Sequence, residues 1–315
     1  MIVDKHLAII LAGGEGKELW SIARRVAGPE VPKQYCPIVG DITLLEQTRR
    51  RLAVGFSNQS VLTVVTRKHK RFYEAALSDV SPTRLIVQPR DRGTAPAILY
   101  ALFRSEKLVP DPTVAVFPSE HYVEDGAAFV RHVGLAFESI KKRPELLVLL
   151  GATPDSPDTD YCWLEPGKRI VEFLRLFELH GVWNRPSRSL AKTLWQSGCL
   201  SSTSVLVGQV RVLLSLIGMY FPQLSTSFEH LSSVLGIESE KERVEEIYRT
   251  ISHQDLLNKV SGNCPGNLAV LPVAGVDWNE LRKPERVMTA LGRLGIRPQW
   301  VHDLRAPLVK KNDGI

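Results

Sequence analysis

Leu7-Ala8-Ile9-Ile10-Leu11 is an apolar, β-type run, and Ala12-Gly13-Gly14-Glu15-Gly16-Lys17 follows it directly. A basic, helix-compatible segment continues to Arg25, and Pro32-Lys33-Gln34 closes the stretch. A buried strand that feeds a glycine-rich turn puts bare backbone N–H groups where side chains would otherwise stand. Such a turn accepts phosphate oxygens, because glycine tolerates positive φ and lets a ligand approach the main chain. A plain strand-to-helix turn has the same composition, so the segments that follow decide between the two.

Residues 43–52 read as a helix: Thr43 and Glu46 form a T-x-x-E capping box, and Leu44, Leu45, Thr48 and Leu52 share one face. Short β-branched or apolar runs at 61–66, 85–87, 114–117 and 146–150 read as strands, and 70–77, 97–107 and 127–142 as the helices between them. Thr94 is placed to cap the 97–107 helix, with Pro96 in its first turn. This alternation predicts an α/β fold with a mainly parallel sheet and helices on both faces. Ligands of such sheets bind at the carboxyl ends of the strands. The loops Gly13–Lys17, Gln88–Pro96 and Pro118-Ser119-Glu120-His121 all fall on that rim.

Beyond residue 150 the pattern is weaker. Residues 153–167 read as loop, 169–179 as strand or helix with strand preferred, 190–196, 210–219 and 238–250 as helices, 205–207 and 267–273 as strands. Val276-Asp277-Trp278-Asn279-Glu280 precedes a helix at 284–293 that carries Pro284 in its first turn, and the end of the chain from Arg305 is polar. Without repeats or a low-complexity linker, any second unit is interleaved rather than strung on.

The chain of 315 residues, 44% hydrophobic and 23% charged, has the makings of a sizeable core in one large α/β domain. No run is apolar enough to span a bilayer, and Asp4 and Lys5 interrupt the N-terminal stretch, so a cytoplasmic protein is expected, without membrane contact. Four dispersed cysteines and eight histidines show no C-x-x-C, H-x-H or H-E-x-x-H spacing, which argues against a disulfide framework and a transition-metal site. Net charge is +6 and the pI is near 9.1. The basic residues are scattered over helix faces without aromatic-rich motifs. They fit a polyanionic small substrate better than nucleic acid. His121 reads as a structural histidine, Trp183 and Trp278 as packing residues, and Cys162 and Cys199 as core fillers.

Taken together, the residues resemble the sugar-phosphate nucleotidyltransferases, and among them most closely the mannose-1-phosphate guanylyltransferases. Leu11-Ala12-Gly13-Gly14-Glu15-Gly16 through Pro32-Lys33-Gln34 is similar to the L-A-G-G-x-G-T-R-L … P-K-Q signature, and 88–97 to Q-P-x-N-R-G-T-A-P-A. Pro118-Ser119-Glu120-His121 resembles P-S-D-H, residues 157–163 P-E-T-x-Y-G-Y, residues 183–187 W-E-K-P-S, and Trp278-Asn279-Glu280-Leu281 W-S-D-L. The likeness spans about 7–294, with the motifs in order.

The resemblance implies a Rossmann-like sheet of the nucleotide-diphospho-sugar transferase type (GT-A-like). A single domain over 1–300 would hold a nucleotide-binding half at about 1–150, a sugar-phosphate half at about 151–300 and a polar tail at 301–315. It implies a nucleoside triphosphate, GTP by the nearest relatives, and a hexose 1-phosphate as partners, with homo-oligomers allowed. Leu11, Ala12, Gly13, Gly14, Gly16, Gln88, Arg92, Gly93 and Thr94 would bind the nucleotide. Tyr161, Asn184 and Arg185 would bind the sugar phosphate, Lys33, Lys17 and Arg185 would serve catalysis, and Glu120 and Glu280 would hold Mg²⁺. In-line attack of the sugar phosphate on the α-phosphorus requires positioning and charge neutralisation rather than acid–base groups.

Departures from the signatures carry information of their own. Glu18 stands where the motif has Arg, Asn184 and Arg185 replace the Glu and Lys of E-K-P, and Ser201-Ser202 replace the W-N of L-W-N. Glu120 and Glu280 replace Asp, and Arg282 stands where Gly is usual. A carboxylate at 18 would repel a triphosphate, and Arg282 would offset it. These changes leave two readings: an active nucleotidyltransferase, or a catalytically impaired relative that binds a nucleotide or sugar nucleotide in a regulatory or scaffold role.

Overall fold

Strand β1 (His6–Leu11) is buried on both sides: Leu7 and Ile9 enter one apolar cluster, Ala8 and Ile10 another. In a strand successive side chains face opposite ways, so an unbroken apolar run marks a sheet covered by helices on both faces. The computed structural model describes residues 5–16, 19–261, 264–298 and 300–301. Lys17, Glu18 and nearly all of the polar tail therefore lie outside the described residues.

The remaining strands are β2 (Val61–Thr66), β3 (Leu85–Gln88), β4 (Thr113–Pro118), β5 (Tyr122–Val123), β6 (Leu147–Ala152), β7 (Cys162–Arg169), β8 (Phe177–Asn184), β9 (Leu200–Gln209), β10 (Leu268–Val273) and β11 (Trp278–Asn279). Nine of them form one sheet in the order β3-β2-β1-β4-β9-β6-β10-β8-β7, which draws on both halves of the chain. Strands β1 to β4 are mutually parallel, as are β6 and β10, while β9 runs antiparallel between β4 and β6. Strand β8 opposes β10 and β7, so every strand except β8 and β9 points the same way and the sheet is mainly parallel. The helices Thr94–Leu108, Val210–Tyr220 and Glu240–Thr250 bury one face, and Leu44–Leu52 and Gly126–Lys142 the other.

Strands β5 and β11 pair separately, Tyr122 opposite Asn279 and Trp278 opposite Val123, and the Glu124 N–H extends the ladder to the Asp277 carbonyl at 2.9 Å. This two-stranded clip ties the loop after β4 to the segment after β10.

Four expectations are corrected. The loop expected at 153–167 already contains the start of β7, and the segment 169–179 is strand only at its two ends, with the turn of the β7–β8 hairpin at 170–176 between them. Val171 and Leu174 are each 87% exposed at its tip, so their apolarity reports no burial. Thr94 is the first residue of its helix, with Gly93 as N-cap. Only half of the capping box forms: Thr43 Oγ1 accepts from the Glu46 N–H at 3.2 Å, but the Glu46 carboxylate turns to Arg49 and Arg50. Among the described residues no helix is long and apolar enough to cross a membrane.

Thr43→Ala removes the cap that starts the Leu44–Leu52 helix and is expected to lower stability by about 1 kcal/mol. Urea unfolding would show it as a lower midpoint at unchanged slope; an unmoved midpoint would mean that the cap contributes nothing.

Candidate active site

The glycine loop leaves β1 with its carbonyls turned into the protein. Gln34 Nε2 donates to Ala12 O at 3.0 Å and to Gly14 O at 2.8 Å, and Thr66 Oγ1 donates to Gly13 O at 2.8 Å. Behind Thr66 the chain continues: Gln88 Nε2 donates to Thr66 Oγ1 at 3.4 Å and Tyr248 Oη donates to Gln88 Oε1 at 3.0 Å. The N–H groups of Gly13, Gly14 and Gly16 have no acceptor among the described residues. A Cβ on Gly13 would stand 2.4 Å from Gln88 Nε2 and 2.8 Å from Thr66 Oγ1, so only glycine lets these side chains reach the main chain. Gly16, at φ +61°, packs against the Lys33 stem.

Gly13, Gly14, Gly16 and Gln88 line a cleft of about 510 Å³ together with Leu11, Lys33, Glu120, Glu280 and Arg282. The 3₁₀ turn Lys33–Tyr35 buries Lys33 to 5% exposure and aims its Nζ at Glu120 Oε1, 3.6 Å away. Glu120 Oε2 accepts from Ser119 Oγ at 3.0 Å. Glu280 meets Arg282 at 2.8 Å through Oε1 and Arg286 at 3.5 Å through Oε2. Arg286 in turn donates to Asp158 Oδ2 at 2.5 Å and lies 4.0 Å from the Tyr161 ring centre. Burial pushes the Glu280 carboxyl above its ordinary value, outweighing the attraction of Arg282, Lys33 and Arg286. Burial also keeps His121 neutral, well below the usual imidazole range, and Lys33, Arg51 and Arg282 reinforce that. His121 Nδ1 takes the Trp278 indole N–H at 3.3 Å, the structural role expected of it.

As arranged, the carboxylates at 120 and 280 do not fit a divalent cation. Both oxygens of Glu280 face guanidinium groups, and those of Glu120 face Lys33 and Ser119. Mg²⁺ needs near-octahedral oxygen ligands that are not already neutralised. Among the described residues no three His, Cys, Asp or Glu side chains gather to hold a metal.

Of the residues assigned to the nucleotide, Leu11, Gly13, Gly14, Gly16, Gln88, Gly93 and Thr94 line the cleft. Ala12 lies behind it, a carbonyl anchor for Gln34. Arg92 is not brought in: its Nε donates to Tyr248 O at 3.3 Å and its carbonyl accepts from Gln254 N. The residues assigned to the sugar phosphate stand apart from this cleft. Tyr161 lines an adjoining hollow of about 410 Å³ with Asp155, Asp277, Trp278 and Arg293. Asn184 bonds Asn258 at 2.5 Å. Arg185 is exposed, has φ +47° and makes no ion pair among the described residues.

Sequence reading missed the contribution of 253–255. Gln254 O accepts from Ala95 N at 3.0 Å, and the Asp255 carboxylate accepts from Thr94 N at 3.1 Å, so this segment closes the start of the Thr94–Leu108 helix. Gly93 permits the approach, since a Cβ there would lie 2.4 Å from Gln254 O. No local pattern announces a contact between residues so distant in the chain.

Residues 7–178, more than half of the chain, match the family model described as nucleotidyl transferase. The xanthan biosynthesis protein XanB of Xanthomonas campestris pv. campestris (strain B100) is 34% identical over 164 residues, 51% of this chain and 33% of that protein. The mannose-1-phosphate guanylyltransferase of Escherichia coli (strain K12) is 30% identical over 204 residues, 63% of this chain and 41% of that protein. The chain thus spans well under half the length of these curated relatives. A crystal structure described as mannose-1-phosphate geranyltransferase from Thermus thermophilus superposes with a TM-score of 0.78 at 23% identity, covering 93% of this chain and 80% of that one. A UDP-glucose pyrophosphorylase complexed with UDP-glucose gives 0.55 at 13% identity, covering 93% and 99%. At such identities the likeness establishes the fold, a Rossmann-like sheet of the GT-A type.

Gly13→Ala forces Gln88 and Thr66 off the loop and is expected to destabilise by about 1–3 kcal/mol, the range for overpacking; an unchanged urea midpoint would contradict the packing described. Asp158 gives a pH-dependent check. Burial raises its carboxyl, but the Asp160 N–H and the Arg286 guanidinium outweigh that and hold it below the ordinary range. A depressed carboxyl adds stability above its ordinary pKa and loses it as pH falls through the folded-state value. Asp158→Asn is therefore expected to lower stability by about 1–3 kcal/mol at neutral pH and to flatten the loss below about pH 4. An acid limb identical to that of the natural chain would contradict it.

Proposed function

Because the chain belongs to the nucleotidyl transferase family, we propose that it joins a nucleoside triphosphate to a hexose 1-phosphate with release of pyrophosphate. GTP and mannose 1-phosphate are the substrates proposed, in keeping with the similarity at 30% identity to a mannose-1-phosphate guanylyltransferase. One observation carries the reading: the N–H groups of Gly13, Gly14 and Gly16 border the cleft without acceptors among the described residues, while the neighbouring carbonyls are held inward. Unpaired main-chain donors of this kind suit the oxygens of an anion such as phosphate.

In this reading an oxygen of the sugar phosphate forms the new bond to the α-phosphorus as the bond from that phosphorus to the bridging oxygen breaks. Pyrophosphate leaves with the electron pair, and no proton need move. Lys33 is buried and faces the cleft, where its charge counts for more than in water. It neutralises the phosphates as charge shifts to the leaving group, and Lys17 is proposed to assist. Arg185, with Tyr161 and Asn184, is proposed to meet the sugar phosphate at the end of β8.

The second reading, nucleotide binding without turnover, is favoured by Asn184, which replaces the motif's Glu and is engaged by Asn258. A pyrophosphate-release assay with GTP, mannose 1-phosphate and Mg²⁺ separates the two. Turnover in the natural chain is expected, with kcat/KM lower by about 10²–10³ in Lys33→Met. GTP binding without release would favour the second reading, and absence of both would overturn the proposal.

A further inference from the structure

We propose that the Arg282 guanidinium takes the place of a divalent cation in the cleft, so that a nucleoside polyphosphate binds to Arg282 and Lys33 without a metal. The inference rests on the polyphosphate reading of the cleft given above. Glu280 stands where the resemblance places a metal ligand, and its Oε1 holds Arg282 at 2.8 Å. Arg282 lines the cleft and its side chain keeps 27% exposure, so part of that side chain borders the space a phosphate would fill. A guanidinium carries five N–H donors in a planar fork. One contact to Glu280 leaves donors for phosphate oxygens, much as a metal bridges a carboxylate and a phosphate.

The support behind Arg282 is built as it would be behind a metal ligand. Arg286 faces the other oxygen of Glu280 and is itself fixed by Asp158 and by the Tyr161 ring. Leu281, fully buried at φ +49°, holds the strained turn between Glu280 and Arg282, with its N–H on Asn279 Oδ1 at 2.9 Å. Lys33, Arg282 and Arg286 balance Glu120, Glu280 and Asp158 charge for charge. The other carboxylates of the cleft have partners of their own: Glu15 with Lys68, Asp91 with the Gly93 N–H, Asp255 with Thr94. A divalent cation would have to displace arginine from Glu280.

Calorimetric titration of the full chain with GTP, in EDTA and in excess Mg²⁺, tests this. Affinities within about threefold of each other are expected for the natural chain, under about 1 kcal/mol apart. Arg282→Ala is expected to lose about tenfold or more in EDTA and to recover with Mg²⁺, since Glu280 Oε1 is then released. Mn²⁺ alone, followed by electron paramagnetic resonance, should bind the variant and not the natural chain. GTP binding that requires Mg²⁺ in the natural chain would overturn the inference and leave the polyphosphate reading intact. So would unchanged affinity of a folded Arg282→Ala protein in EDTA. Failure of GTP to bind in either medium would overturn both.

Discussion

The site depends on the inward fixing of three consecutive carbonyls. Ala12, Gly13 and Gly14 each accept a side-chain hydrogen bond from Gln34 or Thr66. A peptide plane whose carbonyl points into the protein presents the N–H of the next residue on the other side, so the Gly13 and Gly14 donors are set before any ligand arrives. Preorganised donors of this kind need no rearrangement when charge develops nearby. Glycine at 13 is required because Gln88 and Thr66 occupy the volume of a side chain, and the Tyr248–Gln88–Thr66 relay couples the loop to the Glu240–Thr250 helix.

The second half of the site is assembled by pairing at long range. The parallel order of β1 to β4 delivers the loops after β1, β3 and β4 to one rim. The clip between β5 and β11 then brings Glu280 and Arg282 to that rim from the far end of the chain. Short as it is, the clip is buttressed by the His121–Trp278 hydrogen bond and by apolar burial of Tyr122 and Leu281. The network from Asp158 through Arg286 and Glu280 to Arg282 rests on the same clip.

Much of this was legible in the sequence where local physics is decisive. Continuous apolar runs ended by glycine or Pro-Ser marked β1 and β4, a short β-branched run marked β2, and Thr43 and Pro284 marked helix starts through side-chain capping and fixed φ. Local pattern failed where tertiary context rules. The apolar turn between β7 and β8 resembles a strand in composition, yet Val171 and Leu174 project into solvent. Arg92 has the setting of a phosphate ligand, but the Tyr248 carbonyl, contributed from far along the chain, claims it. Arg282 stands out in the sequence as a departure at a glycine position, with Glu18 as its expected partner. Among the described residues its partner is Glu280, two positions before it.

The most direct measurement is amide NMR of the isotopically labelled chain during titration with GTP. The N–H signals of Gly13, Gly14 and Gly16 should move together, downfield and to saturation, as phosphate oxygens become their acceptors. GTP that binds and moves amides elsewhere, while these three stay fixed, would contradict the central claim.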